Sequence, residues 1–356
     1  YNNAVELIKN GVLGDVHSIR AQWHRGNLPG DDSWQPPLPA DDKLAEELAK
    51  WQEDLEKAKK PKDGKEPDPK VIDKLERKIA QKIQQIGDKV VEAQKFGYQD
   101  RQIKDANGTV LHDRPAIEEL IRWRLWDRTG AGLMAELGSH QLDAASIFIA
   151  AMHGGEMQHP LSVAATGNRP LFPPDRDIED HVCCIFEFPA PGYDPKDPDK
   201  SLKKIGVQYA SINGNGFGGY GETVLGTKGT LVLEREQDTM LFEMAPNIGK
   251  TQVVLDDKKK PYIKANEKGD EKAAAIGNLA MQEAERGYAE ELEHWAWCIR
   301  NPDPKNLPRC HPKVALKDAV IALTANLAAR EGRRIDFKEE WFDIHSDETP
   351  DGSKPV

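Results

Sequence analysis

Cysteine is scarce. The 356 residues contain four, Cys183, Cys184, Cys298 and Cys310, and none are spaced C-x-x-C. That argues against a zinc-finger framework and for reduced, mostly buried thiols. On a strand, adjacent Cys183 and Cys184 would face opposite sides. Long apolar runs are missing too. The mostly apolar stretch 144–152 falls far short of the about 20 residues a membrane-spanning helix needs. No Walker-type loop and no G-x-S-x-G elbow occurs. Positive charge is in deficit, with 49 Lys and Arg against 60 Asp and Glu and a net charge of -11. Such a surface repels phosphate backbones and anionic membranes, so neither nucleic acid nor membrane is expected as a partner. The chain starts at Tyr1 without Met or signal peptide. It reads as a fragment or processed chain, and its N-terminus does not say whether it is cytoplasmic or periplasmic.

What remains is polar but able to build a core, with 38% hydrophobic and 31% charged residues. The length suits one large domain or two ordinary ones. Ala4, Val5 and Ile8 predict a short helix ended by Gly11 and Gly14. Ile19, Ala21 and Trp23 then alternate with polar neighbours, predicting a strand over 16–24. The Gly- and Pro-rich stretch 26–39 is a loop. Leu44, Leu48, Trp51, Leu55 and Ala58 form one helical stripe, and Ile72, Leu75, Ile79, Ile83, Ile86 and Val90 a second. The Pro-, Lys- and Gly-rich stretch 60–69 separates them. Residues 41–95 thus predict an inserted helical hairpin with charged outer faces, a solvated arm or a docking element.

Residues 116–124 predict a helix behind Pro115, and 133–152 a long, mostly apolar helix. Strands are predicted over 161–166, 181–188, 205–213, 222–225, 230–234 and 240–244. Gly226-Thr227-Lys228-Gly229 makes a hairpin turn. Consecutive strands with short connections predict a mainly antiparallel sheet in an α+β fold. Residues 283–300 predict a helix with Leu292, Trp295 and Ile299 on one face. Residues 313–331 predict an Ala-rich helix capped by Gly332. A last strand over 334–337 follows, and the tail 347–356 reads as disordered.

Gly214, Gly216 and Gly219 match G-x-G-x-x-G, but a β-hairpin follows them. A dinucleotide site needs a helix there, because the helix N-terminus holds the pyrophosphate. This loop reads as a strand connection.

The segment 132–143 carries the chemistry. On a helix Glu136 and His140 are four apart, and His140 and Asp143 three apart, so all three share a face. Gly138 would allow a ligand close to the backbone. An imidazole flanked by carboxylates suits proton transfer from an alcohol. The same spacing suits a buried histidine satisfied by a carboxylate, or a metal-binding face. Spacing alone leaves these open. Trp23, His24, Arg25 and Asn27 after the first strand, and Arg124, Trp126 and Arg128 before the motif, are residue types that bind sugars. Taken singly, each of them is better explained by ordinary packing and surface pairing.

The pattern Gly-x-x-x-[acid]-x-Gly-x-His-x-x-Asp behind a Trp/Arg-rich loop resembles the glucose-fructose oxidoreductase / inositol dehydrogenase / rhizopine catabolism family (Gfo/Idh/MocA). Residues 1–16, the Gly-Thr-Lys-Gly-Thr hairpin and the closing helices resemble that family's second domain in the same order. The resemblance implies an open, mostly antiparallel sheet with helices on one face, like the C-terminal domain of glyceraldehyde-3-phosphate dehydrogenase. It implies a homo-oligomer built through the other sheet face, and hydride transfer between NAD or NADP and a sugar or polyol hydroxyl. His140 would match the catalytic histidine, Glu136 the usual aspartate, and Asp143 a substrate-contacting carboxylate; no metal ligand is implied. The nucleotide-binding domain is expected to be absent over 1–346, so this chain should neither bind NAD(H) tightly nor turn over alone. Two alternatives stand beside this reading. One is a metal- or NAD-assisted lyase or hydrolase acting on glycosides or keto-sugars. The other is a non-enzymatic carbohydrate-binding or scaffold module.

Overall fold

The computed structural model describes residues 1–30, 34–60, 66–235, 238–243, 252–255, 261–264 and 287–353. Helix α1 (Asn2–Lys9) leads into β1 (Val16–His24). A hairpin of α2 (Asp42–Lys59) and α3 (Pro69–Gly87) follows. Then come β2 (Arg101–Lys104), β3 (Val110–Arg114), α4 (Ala116–Ile121) and α5 (Asp127–Gly130). A π-turn (Met134–Gly138) opens α6 (Ser139–Met152). The strands β4 (Ser162–Asn168), β5 (His181–Pro189), β6 (Lys204–Ile212), β7 (Tyr220–Gly226), β8 (Gly229–Glu234) and β9 (Asp238–Glu243) come next. After the pair β10 (Gln252–Leu255) and β11 (Pro261–Lys264), the chain closes with α7 (Tyr288–Arg300), α8 (Pro312–Glu331) and β12 (Ile335–Asp336). Contacts divide the chain into two compact units, 1–27 with 133–171 and 179–356, and 28–132 with 172–178. Among the described residues, no helix is long and apolar enough to cross a membrane.

The first unit is α+β. Its eight-stranded sheet has the order β12-β4-β5-β6-β1-β7-β8-β9. Only β1 and β6 pair in parallel; the other pairs in this sheet are antiparallel. Strand β5 shows how the sheet is sided. Val182, Cys184, Phe186 and Phe188 are buried on one face, while Cys183 and Ile185 are exposed on the other. Successive strand residues point to opposite faces, so the apolar set covers a core and the rest faces outward. On the covered side α6 packs on β1, β6 and β7, and α8 packs on α6 and β4. Buried Ala322, Ala325 and Ala328 give α8 a slim face for that approach. His311 caps α8 by accepting from the Lys313 N–H at 3.3 Å, and Gly332 ends it at φ +60°.

The long helix predicted over 133–152 is interrupted at its start. The turn 134–138 is wider than an α-turn, and the backbone N–H of Ser139 reaches the carbonyl of Met134. The Ala135 carbonyl, displaced from its regular partner, accepts from the Ser139 hydroxyl at 2.7 Å. Two apolar stripes also end differently from expectation. α3 stops at Gly87, and Ile83 and Val90 are 53% and 77% exposed. On α7, Leu292, Trp295 and Ile299 share a face, but all three are exposed, and Cys298 is the residue that is buried. Residues 244, 283–286 and 354–356 of the predicted elements lie outside the described residues. In the tail, Thr349 donates to the Ser353 carbonyl at 2.6 Å and closes a turn.

The second unit contains a buried charge cluster beside its apolar core. Arg114 and Glu119 are 2% and 0% exposed and lie 3.0 Å apart. Arg128 grips the same carboxylate at 2.6 and 3.0 Å, and the Gln99 N–H donates to it at 2.7 Å. Burial pushes Glu119 up, but these donors and Arg114 outweigh it and hold the carboxyl below its ordinary range. The hairpin belongs to this unit. Asp41 and Asp68 cap its helices through the Lys43 and Lys70 N–H groups, and Leu44 is fully buried. Trp51 lies beneath the ammonium groups of Lys78 and Lys82, at 5.2 and 5.1 Å. Strands β2 and β3, absent from the sequence reading, pair in antiparallel fashion here.

In the first unit, the β7–β8 hairpin docks on the segment before β1. The Lys228 N–H donates to the Leu13 carbonyl at 2.9 Å, and the Thr227 N–H to Asp15 at 3.0 Å. A Cβ at Gly226 would collide with that Leu13 carbonyl, which is backbone and cannot rotate away. Gly226→Ala should therefore cost roughly 2–3 kcal/mol in chemical denaturation. Gly206→Ala on β6, where nothing lies within 4 Å, should be neutral or mildly stabilising. Equal costs at both positions would contradict this account.

Candidate functional site

β1 runs through the middle of the sheet with Trp23 and His24 at its end. In register, Trp23 pairs with Ser211 of β6 and Tyr220 of β7, while His24 pairs with Ile212. Ser211 in turn pairs with Val182, and both are buried beneath the helices. Register partners share a face, so Trp23 points to the helix-covered side and His24 to the open side. There the His24 Nδ1 lies 2.9 Å from the Phe217 carbonyl. Their adjacency in the sequence predicts one shared site; the two-residue period of the strand places them on opposite faces instead.

His140, in the first turn of α6, is exposed, and its ring lies 5.7 Å from that of Trp23 at 53°. Trp23 stacks on Tyr220 with centroids 4.5 Å apart and planes 18° apart. The Arg25 guanidinium lies 5.6 Å from the Trp23 ring. The Asn27 amide donates to Asn213 at 3.3 Å. The result is a wall of two stacked aromatic rings ending in an accessible imidazole, with a guanidinium and an amide nearby. Such a wall offers a flat apolar face to C–H groups and polar atoms to hydroxyls. Tyr220 was not singled out in the sequence; its register against Trp23 is the signal that finds it.

The carboxylates stand differently from expectation. No hydrogen bond joins His140 to Asp143, although His140 acts on the Asp143 charge. Asp143 is half-buried; burial raises its pKa and His140 opposes the shift. Glu136 sits half-buried in the π-turn, with interactions of its own. The ring in contact with His140 is thus Trp23. Gly138 does permit a close approach, but a Cβ there would meet the Tyr209 ring at 3.2 Å and Met134 at 3.1 Å. Protein side chains occupy the space the sequence reading left for a ligand.

Asp318 on α8 was not foreseen. It is 9% exposed, and its Oδ1 has no hydrogen-bond partner. Burial, and then the charge of Asp143, push its carboxyl up to about 7, with Lys317 opposing. The Cys310 thiol is raised by burial and by Asp143, Asp318 and Glu291. The available signal was an acid in the apolar stripe with Ile321, Ala322 and Ala325. Among the described residues, no group of three His, Cys, Asp or Glu side chains could hold a metal ion.

The remaining predicted site residues lie in the second unit. Trp126 is fully buried, with the Arg114 guanidinium 4.7 Å above its ring and His112 stacked against it. Arg128 is bound to Glu119, and Arg124 lies 4.7 Å over Trp123. A fully buried indole offers no face to a ligand. The glycines 214, 216 and 219 form the connection from β6 to β7, as expected of a strand connection.

No protein-family model matches the chain, and no curated protein matches it. Solved structures do. An NAD binding oxidoreductase from Klebsiella pneumoniae is similar at 13% identity, covering 95% of this chain and 63% of its own, with a TM-score of 0.46. An aldose-aldose oxidoreductase from Caulobacter crescentus is similar at 14% identity, over 94% of this chain and 59% of its own, with a TM-score of 0.41. A levoglucosan dehydrogenase, in complex with NADH and levoglucosan, is similar at 11% identity, over 94% and 62%, with a TM-score of 0.42. The chain spans about three-fifths of the length of these structures. What it is similar to is a set of oxidoreductases, two of them named for sugars.

Proposed function

We propose that this chain is the substrate-binding half of an NAD(P)-dependent oxidoreductase acting on a hydroxyl of a sugar, glycoside or polyol. The observation that carries this reading is the accessible His140 ring at the end of the Trp23–Tyr220 stack. The aromatic wall holds the C–H face of the sugar. Arg25 and Asn27 bind its hydroxyls. One hydroxyl rests against His140, whose imidazole takes the proton as the alcohol is oxidised. Glu136 and Asp143, four residues before and three after that imidazole, add carboxylates to the site. Arg124, Trp126 and Arg128 are not carried into this reading, because their side chains serve the second unit.

Among the described residues the chain's own Gly-rich loop does not fit a dinucleotide. It leads into β7, so no helix N-terminus meets a pyrophosphate there. NAD or NADP belongs, in this reading, to another part of the whole protein, and no step is derived through it. The open sheet face, with a depression of about 580 Å³ and Ile185 54% exposed, is assigned to a second copy of the chain.

Four outcomes are expected. The full-length protein should reduce NAD or NADP in the presence of an aldose or polyol from a broad panel. His140→Ala should lower that rate by about 10²–10⁴. Unchanged turnover would leave a binding or scaffold module, and a metal at His140 without nicotinamide dependence would favour the lyase. The 356-residue chain alone should bind the same sugars calorimetrically, roughly tenfold more weakly as Trp23→Ala. Equal affinity in that variant would remove the wall from the site. Ile185→Arg should shift the chain toward monomer in sedimentation; an unchanged mass would place any interface elsewhere.

A further inference from the structure

Gln141 follows His140 on α6 and is fully buried. Its amide Nε2 donates to the Glu222 carboxylate on β7 at 3.1 Å. Glu222 is buried as well, and it also accepts from the Tyr1 hydroxyl at 3.3 Å. Along β7, Glu222 is in register with buried Ala21 of β1, and Tyr220 with Trp23. Residues two apart on a strand share a face. The four residues therefore form two rows on the helix-covered side. Trp23 and Tyr220 stand at the end of the strands, with Ala21 and Glu222 one step inward. Consecutive residues of α6 meet one row each: His140 lies with its ring 5.7 Å from that of Trp23, and Gln141 is bonded to Glu222.

Taking a carboxylate and an amide out of water is costly, and their mutual bond offsets only part of that cost. Apolar side chains of the same size would fill the space at least as well. What the polar pair adds is direction. Apolar contact lets a helix roll and slide on a sheet, whereas a hydrogen bond demands one short distance and a narrow range of angles. Adjacent residues of a helix point about 100° apart, so the bond made by Gln141 fixes the direction in which His140 leaves α6. We propose that Gln141 and Glu222 are positioning residues: their buried bond sets the roll of α6 and keeps the His140 imidazole on the Trp23–Tyr220 wall. That this alignment serves proton transfer rests on the reading of His140 given above. The alignment itself is read without any turnover.

The test uses two double variants of the 356-residue chain, with histidine and tryptophan rings labelled for NMR. Gln141→Met with Glu222→Met removes donor and acceptor together and keeps the volume, so its denaturation midpoint should be no lower than the parent's. The nuclear Overhauser contact between the His140 and Trp23 rings should nevertheless be lost. Gln141→Glu with Glu222→Gln reverses donor and acceptor, and there the contact should persist at parental strength. In the full-length protein the double methionine variant should lower kcat about 10–100-fold and leave KM, set by the aromatic wall, unchanged. A full ring contact in the double methionine variant would overturn the proposal, because packing alone would then align the helix. Loss of the contact in the folded exchange variant would overturn it too, as would an unchanged kcat where the contact is gone. A double methionine variant that is unfolded in water would also count against it, because the pair would then support the fold rather than aim a side chain. Turnover indifferent to His140→Ala would remove the His140 reading and leave the ring-contact result standing. An unchanged ring contact would remove this proposal and leave that reading standing.

Discussion

The side-to-side alternation of β1 is the constraint on which the site depends. This strand is held between β6, in parallel, and β7, in antiparallel, so its register is fixed from two directions. The Ser211 hydroxyl adds a third hold by donating to the Trp23 carbonyl at 2.8 Å. A slip by one residue would turn Trp23 to the open face and bring His24 under the helices. The aromatic stack, its contact with His140 and the position of Arg25 all follow from that register. Helix α6 then needs only to lie across β1 for its first turn to meet the end of the strand.

Much of this could be read from the sequence, and the reasons differ by element. Strands β1 and β4 to β8 announce themselves by alternation, and β7 and β8 also by the two-residue turn between them. The helical hairpin was plain from two stripes at helical spacing around a Pro- and Gly-rich break. Strands β2 and β3 were not, because Arg101–Lys104 is mostly polar and the two are held by charge at their ends rather than by an apolar face. The π-turn was invisible, since five residues cannot distinguish a wide turn from an ordinary one. The spacing of His140 to two acids predicts a shared helical face, while the ring beside His140 in the structure is Trp23, which no spacing within the helix shows. Asp318 is not legible in the sequence because its burial comes from the tertiary packing of α8, which spacing within one helix does not show.

The two units treat buried charge in opposite ways. In the second, Arg114, Glu119 and Arg128 share one carboxylate between two guanidinium groups, and a backbone N–H completes the set. Removing one member would leave an uncompensated buried charge, the costliest defect such a cluster can suffer. In the first, Asp318 of α8 is buried with its Oδ1 unpartnered, and among the described residues no lysine or arginine pairs with it. A paired cluster is suited to holding backbone in place. A carboxyl raised toward neutrality is suited to exchanging protons, and such groups are concentrated where chemistry occurs.

The wide turn ahead of α6 has a consequence for how this chain could vary. It accommodates one residue more than regular coiling would, and such bulges are the usual trace of a single-residue insertion absorbed within a helix. The wider turn spans 134–138, where the Ser139 hydroxyl satisfies the Ala135 carbonyl. A lineage could therefore gain or lose that single residue, re-aiming one acid side chain beside an unmoved imidazole, with the scaffold left as it was.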